Sequence, residues 1–69
     1  MLLGEKIDIN VADARAFEAL ERIGPALAGR IVLDRDTQGP FASIEDLMRV
    51  NGIGPHTIER NRMYLSVSR

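Results

Sequence analysis

The sequence predicts an all-α domain of four main helices, arranged as two successive helix pairs that are each closed by a tight hairpin. Three observations lead there. Apolar residues recur at helical spacing, as in Phe17, Leu20 and Ile23. Gly-Pro steps at Gly24-Pro25 and Gly54-Pro55 each end one helix and begin another. The two halves also repeat at a spacing of 30 residues. Ile23-Gly24-Pro25 falls on Ile53-Gly54-Pro55, Phe17 on Leu47, Leu20 on Val50, Ala28 on Ile58 and Arg30 on Arg60. Each half is too small to bury its own apolar face, so the two are expected to pack about a pseudo-twofold axis. The expected organisation is a single domain over 1–69: one unit at about 10–36, a connector at 37–42 and a second unit at about 43–66.

Taken in order, Ile7-Asp8-Ile9 alternates over too few residues to make more than an extended lead-in. Asn10 is a good N-cap, with Asp13 three residues on to close a capping box, for a helix from Ala12 to Arg22. The second helix starts at Pro25, lays Leu27, Ala28, Ile31 and Val32 on one face, and frays into Asp34-Arg35-Asp36. Thr37-Gln38-Gly39-Pro40 reads as a connector, and Phe41 plugs the core after it. Ser43 caps the third helix with Asp46 at its N3 position, and Ile44, Leu47, Met48 and Val50 supply its apolar side. The fourth helix runs from Pro55 to about Leu65 and is buried through Ile58 and Leu65, while Asn61 and Arg62 break its stripe. The last four residues are expected to be loose.

The second hairpin, Val50-Asn51-Gly52-Ile53-Gly54-Pro55-His56-Thr57, is where chemistry is expected. Glycine at 52 and 54 lets the backbone take positive φ and lie close to a bulky partner. Pro55 fits the first turn of a helix, where its missing N–H costs nothing. The amides of residues 54, 56 and 57 then point outward without helical partners, and form an anion site. The first hairpin has Glu21-Arg22 where the second has Asn51-Gly52, so it lacks one glycine and carries a carboxylate that repels phosphate.

Composition excludes several classes. There is no cysteine, so no disulfide framework and no thiolate metal site. Two Phe and one Tyr provide no row of aromatic platforms for stacking single-stranded bases. No apolar run approaches the roughly 20 residues of a membrane span, and Met1-Leu2-Leu3-Gly4 is too short for a signal peptide. The net charge is −1, but unevenly spread. Residues 1–48 carry five Lys/Arg against nine Asp/Glu, whereas residues 49–69 carry Arg49, Arg60, Arg62 and Arg69 against Glu59 alone. A basic terminal third beside the Gly-Ile-Gly turn suits local anion binding.

Five segments in order, Ile7-Asp8-Ile9-Asn10-Val11-Ala12, Ile23-Gly24-Pro25, Gly39-Pro40-Phe41, Ser43-Ile44-Glu45-Asp46-Leu47 and Gly52-Ile53-Gly54-Pro55, make the chain resemble the ComEA-like helix-hairpin-helix domains of the competence DNA receptor family. The resemblance covers about Ile7 to Val67. It implies a tandem helix-hairpin-helix, SAM-domain-like four-helix domain that binds double-stranded DNA through its backbone without reading sequence. The implied contacts are Gly52, Ile53, Gly54 and the amides of His56 and Thr57, assisted by Arg60 and Arg62, with Arg22 and Gly24 at a weaker first hairpin. No cofactor is expected, and the sequence has no ligand spacing for a side-chain metal site. Carbonyls of residue 50, Asn51 and Ile53 are where such hairpins hold a monovalent cation. Other uptake or processing proteins are implied as partners, with no small-molecule substrate and no membrane contact within this chain. The compartment implied is extracytoplasmic and membrane-tethered, or cytoplasmic if the full-length protein is unlike those receptors.

Departures from the family pattern fall at His56, where lysine would carry a permanent charge, and at Glu21, Arg22 and Leu27 around the first hairpin. A second relative with the same architecture, an extrinsic subunit of photosystem II, has an opening like Gly4-Glu5-Lys6-Ile7-Asp8 and docks on protein. Two alternatives to DNA binding therefore stand: a protein-interaction module in which Gly52 and Gly54 serve packing alone, and an accessory domain of a DNA repair enzyme. Catalysis is not expected. No motif sets a nucleophilic serine beside His56, and Asp34/Asp36 and Glu45/Asp46 sit at helix ends, where carboxylates occur without chemistry.

Overall fold

The computed structural model describes residues 6–68. Regular elements run β1 (Ile7–Asp8), α1 (Ala14–Phe17), α2 (Pro25–Gln38), a 3-10 helix (Ile44–Arg49), α3 (Pro55–Asn61), a second 3-10 helix (Arg62–Tyr64) and β2 (Leu65–Ser66). The fold is all-α: four helical segments, the last extended by a 3-10 turn. Its extended part is a two-residue parallel ladder, Ile7 beside Leu65 and Asp8 beside Ser66.

The apolar stripes meet in one core. Phe17, Leu20 and Ile23 from the first half and Leu47, Val50 and Ile53 from the second are buried, with Ala28, Ile31 and Ile58 from the helices that follow the hairpins. Ile9, Phe41 and Leu65 complete it. Full burial of each large side chain contributes about 1.5–3 kcal/mol, set against the backbone entropy of a short chain.

Several elements differ from expectation, each for a local reason. The first helix is only Ala14–Phe17, and Asp13, not Asn10, is its cap, accepting the Ala16 N–H at 2.9 Å. Beyond it, Ala19 N–H donates to Ala16 O and Leu20 N–H to Phe17 O. These tighter steps end the α-helix yet leave Phe17 and Leu20 inward. Asn10 instead fastens three segments: its Oδ1 accepts the Phe41 N–H at 2.7 Å, and its Nδ2 donates to Phe41 O and Ser68 O. Asp8 accepts the N–H groups of Asn10 and Ser68. The Asn10 bond chiefly holds the Asp8 carboxyl below its ordinary range. Residues 66–68 are thus tied down rather than loose; Arg69 and residues 1–5 lie outside the described residues.

Helix α2 passes through Asp34-Arg35-Asp36 without fraying, because Arg35 Nη1 donates to Ile9 O at 3.0 Å and Ala12 O at 2.7 Å. It ends at Gly39, whose φ of 98° only glycine adopts easily, so the connector is shorter than Thr37–Pro40. The third helix is a 3-10 helix; Ser43 makes no side-chain cap bond, while Asp46 Oδ2 accepts the Ala42 N–H at 2.8 Å. Met48 is exposed rather than apolar filling. Helix α3 stops at Asn61, which is buried despite its polarity.

The two hairpins follow one backbone course. Arg22 and Gly52 take positive φ, 66° and 107°, and Gly24 and Gly54 are extended N-caps at φ −95° and −116°. Positive φ is therefore required at 52 and 22, and not at 54. Arginine in a left-handed conformation is strained by about 1–2 kcal/mol. Arg22→Gly, after allowing for glycine's greater unfolded entropy, is expected to raise the melting temperature by about 5 °C in a domain of this size. A melt no higher than the wild type would show that the turn carries no such strain.

Candidate functional site

The site is assembled at the second hairpin. Ile53 is a buried anchor, 6% exposed, and its N–H donates to Val50 O at 3.1 Å, which closes the turn. Leu27 of α2 packs beneath the bend: a side chain on Gly52 would meet Leu27 Cδ1 at 3.1 Å and Arg30 Nη1 at 3.6 Å. Gly54 starts α3, and Pro55 occupies the first turn. Among the described residues, the N–H groups of Gly54, His56 and Thr57 have no acceptor; the next one, Ile58 N–H, donates to Gly54 O. A Cβ on Gly54 would meet nothing within 4 Å, so the space outside these amides is open. Gly24 has the same geometry at the first hairpin, likewise with nothing within 4 Å.

The charges are arranged in space quite differently from their order in the chain. Arg49, beside the hairpin, binds Asp34 Oδ2 at 2.6 Å and lies over the Phe41 ring at 4.4 Å. Arg62 is held between Glu45 (2.7 Å) and Glu59 (3.0 Å). That bridge draws the Glu45 carboxyl below and the Arg62 guanidinium above their ordinary values, each chiefly through the Glu45–Arg62 hydrogen bond. Arg60 reaches Glu21 Oε1 at 3.5 Å across both units, with both side chains about half exposed. The acidic first part of the chain thus supplies carboxylates to the basic last third. Arg22 and Arg30 have no ion-pair partner among the described residues.

Of the residues expected from sequence, Gly52, Ile53, Gly54, His56 and Thr57 sit together on the second hairpin, Arg22 and Gly24 on the first. Arg60 and Arg62 are one helical turn and more beyond the second hairpin, each facing a carboxylate. Two residues were missed. Arg30 Nη1 lies 3.5 Å from Asn51 O, beside the second hairpin; its repeat register with Arg60 was the signal. Asn61 accepts the Glu21 N–H at 2.8 Å and donates to Glu21 O and Thr57 O at 2.9 Å. It occupies the register of buried Ile31, so a polar residue at a core position was its signal. Among the described residues no group of His, Asp and Glu could hold a metal ion, and no helix is long and apolar enough to cross a membrane.

A family model described as helix-hairpin-helix motif matches residues 4–66. The chain is 31% identical over 64 residues to the ComE operon protein 1 of Bacillus subtilis (strain 168), covering 93% of this chain and 31% of that protein. It is 32% identical over 68 residues to the endonuclease/exonuclease/phosphatase family domain-containing protein 1 of Xenopus laevis, 99% of this chain and 12% of that one. Against the photosystem II extrinsic protein U of Prochlorococcus marinus (strain MIT 9313) it is 40% identical over 47 residues, 68% of this chain and 36% of that protein. The chain spans about a third or less of the length of these relatives.

Proposed function

Since the chain belongs to the helix-hairpin-helix motif family, we propose that it is a non-enzymatic nucleic-acid-binding module that grips the phosphate backbone of double-stranded DNA without reading its sequence. The observation that carries this is the row of unpaired amides on Gly54, His56 and Thr57, opening beside a glycine that the fold itself does not need. Amides so placed donate to an anionic oxygen without a side chain in the way. They contact phosphate, which every base pair carries alike, so the grip is indifferent to sequence. DNA uptake is the setting that the likeness to the ComE operon protein 1 supports, and DNA processing the one that the likeness to the endonuclease/exonuclease/phosphatase family protein supports. Partners in either pathway would be supplied by the longer proteins in which such a module sits. A monovalent cation fits poorly on the hairpin carbonyls: Asn51 O already faces the Arg30 guanidinium, whose charge would repel it.

The footprint is small. With Arg49, Arg60 and Arg62 each beside a carboxylate, one hairpin and its surroundings neutralise at most about three phosphates, so log K against log salt should have a slope no steeper than about −3 and affinity should be about micromolar at physiological salt. Titrating a labelled duplex of random sequence at two salt concentrations, with fluorescence anisotropy as the readout, checks both. Absence of binding at low salt would sink the proposal. It would favour a protein-docking module instead, the reading supported by the Glu21–Arg60 pair at the first hairpin and by the likeness to the photosystem II extrinsic protein U.

A further inference from the structure

The helix behind each hairpin sends an arginine to the opposite hairpin. Arg30 of α2 lies 3.5 Å from the carbonyl of residue 51, in the second hairpin. Arg60 of α3 lies 3.5 Å from the side chain of residue 21, in the first. Arg30 and Arg60 share a repeat position, and so do residues 21 and 51, so each arginine reaches the corresponding residue of the opposite hairpin, Arg30 at its backbone carbonyl and Arg60 at its side-chain carboxylate. The two contacts therefore differ in charge. Residue 51 is asparagine, which leaves the Arg30 charge uncompensated, whereas residue 21 is glutamate, which neutralises Arg60.

We propose that each hairpin takes its phosphate-binding cation from the other repeat, Arg30 serving the second hairpin, with Arg60 at the first held in check by Glu21. The proposal rests on the phosphate-binding reading above and adds the residue that supplies its charge. Three facts support Arg30 in this role. The hairpin's own neighbours are engaged, Arg49 with Asp34 and Arg62 with Glu45 and Glu59. Arg30 is exposed and has no ion-pair partner among the described residues. It also lines an open groove of about 230 Å³ together with Val50, Asn51 and the Arg49–Asp34 pair, in which Arg49 offsets the Asp34 carboxylate and Arg30 is the cation left over. A guanidinium there would grip phosphate with its fork while the amides hold a second oxygen. The family's hairpin thereby becomes a composite site that neither repeat could form alone.

The test uses the full chain, a random-sequence duplex and anisotropy at several salt concentrations, with a thermal melt of every variant. Arg30→Gln should weaken binding about tenfold at low salt and reduce the salt slope by about one, with an unchanged melt. Glu21→Asn, which copies Asn51, should strengthen binding several-fold by releasing Arg60. That gain should shrink in an Arg60→Gln background to the part that comes from removing the carboxylate's own repulsion of phosphate, as a double-mutant cycle reads coupling. If Arg30→Gln leaves affinity and slope unchanged while the wild type binds, the proposal is overturned and the hairpin reading stands. A Glu21→Asn gain of equal size with and without Arg60 overturns the first-hairpin half. A wild-type chain that does not bind duplex overturns both readings together.

Discussion

Replacing Gly54 by aspartate should abolish duplex binding and leave the fold as stable as before, or slightly more so. Residue 54 is the N-cap of α3 with an extended backbone, φ −116° and ψ −177°, which any residue adopts. A Cβ there touches nothing within 4 Å. Aspartate is among the best N-caps and exceeds glycine by a few tenths of a kcal/mol. It would earn that preference by accepting the N–H groups of the second and third helical residues, His56 and Thr57. Those are the donors assigned to phosphate, so the stabilising bond and the lost function are one event. The carboxylate would also face the phosphate. Two like charges about 5 Å apart at a protein surface repel by about 3 kcal/mol, a loss of more than a hundredfold that would take a micromolar complex beyond detection. Gly54→Ala separates the terms, because it adds bulk without charge or capping and should weaken binding much less. Gly52 is the poorer position for this test, since its positive φ and the Leu27 contact at 3.1 Å would disturb the fold together with the site. Anisotropy and thermal melts on the same samples decide the matter: Gly54→Asp binding duplex as the wild type does would exclude the amides as the grip.

What the sequence made legible is what short-range chemistry specifies. Both hairpins and both Gly-Pro helix starts were readable, because Gly, Pro and a buried isoleucine fix a turn within six residues. So was most of the core, Phe17, Leu20, Ile23, Leu47, Val50, Ile58 and Leu65, since helical spacing survives even where the helix gives way to tighter turns, whereas Ile53, expected as a contact, has its side chain in the core. That same survival hid the short α1: inward spacing does not distinguish an α-helix from successive 3-10 steps. The longer α2 was hidden for another reason, because Arg35 is anchored by carbonyls of residues 9 and 12 that no local pattern brings near it. Charge was the least legible property. Counted along the chain, the last third is basic; folded, Arg49, Arg60 and Arg62 meet Asp34, Glu21, Glu45 and Glu59, and the cation beside the second hairpin comes from the first repeat. Fold class follows from periodicity and punctuation, whereas a surface potential depends on partners that only the tertiary structure brings together.

Asn61→Ala is expected to destabilise the protein by about 2–4 kcal/mol. Asn61 is 1% exposed and makes three bonds with its amide: it accepts from Glu21 N–H and donates to Glu21 O and Thr57 O. Truncation leaves both backbone groups of Glu21 without partners in a half-enclosed place, and each orphaned group costs about 1–3 kcal/mol. A domain of this size has about 3–10 kcal/mol of stability in all, so the melting temperature should fall by about 10–25 °C. Asn61→Leu tells the clamp from mere filling. Leucine restores the volume, as Ile31 does at the matching position of the first repeat, but it offers no hydrogen bond. If the clamp is the cause, leucine recovers little of the loss; a leucine variant as stable as the wild type would show that only space mattered. Duplex affinity adds a second readout. The clamp ties α3 to the first hairpin and leaves the amides of Gly54, His56 and Thr57 untouched, so at a temperature where the variant is folded its binding should stay within about twofold of wild type, while its melt is far lower. Stability and grip would then move independently, Asn61→Ala losing the first and Gly54→Asp the second, as expected if one hairpin of this fold is built mainly to be held and the other to hold.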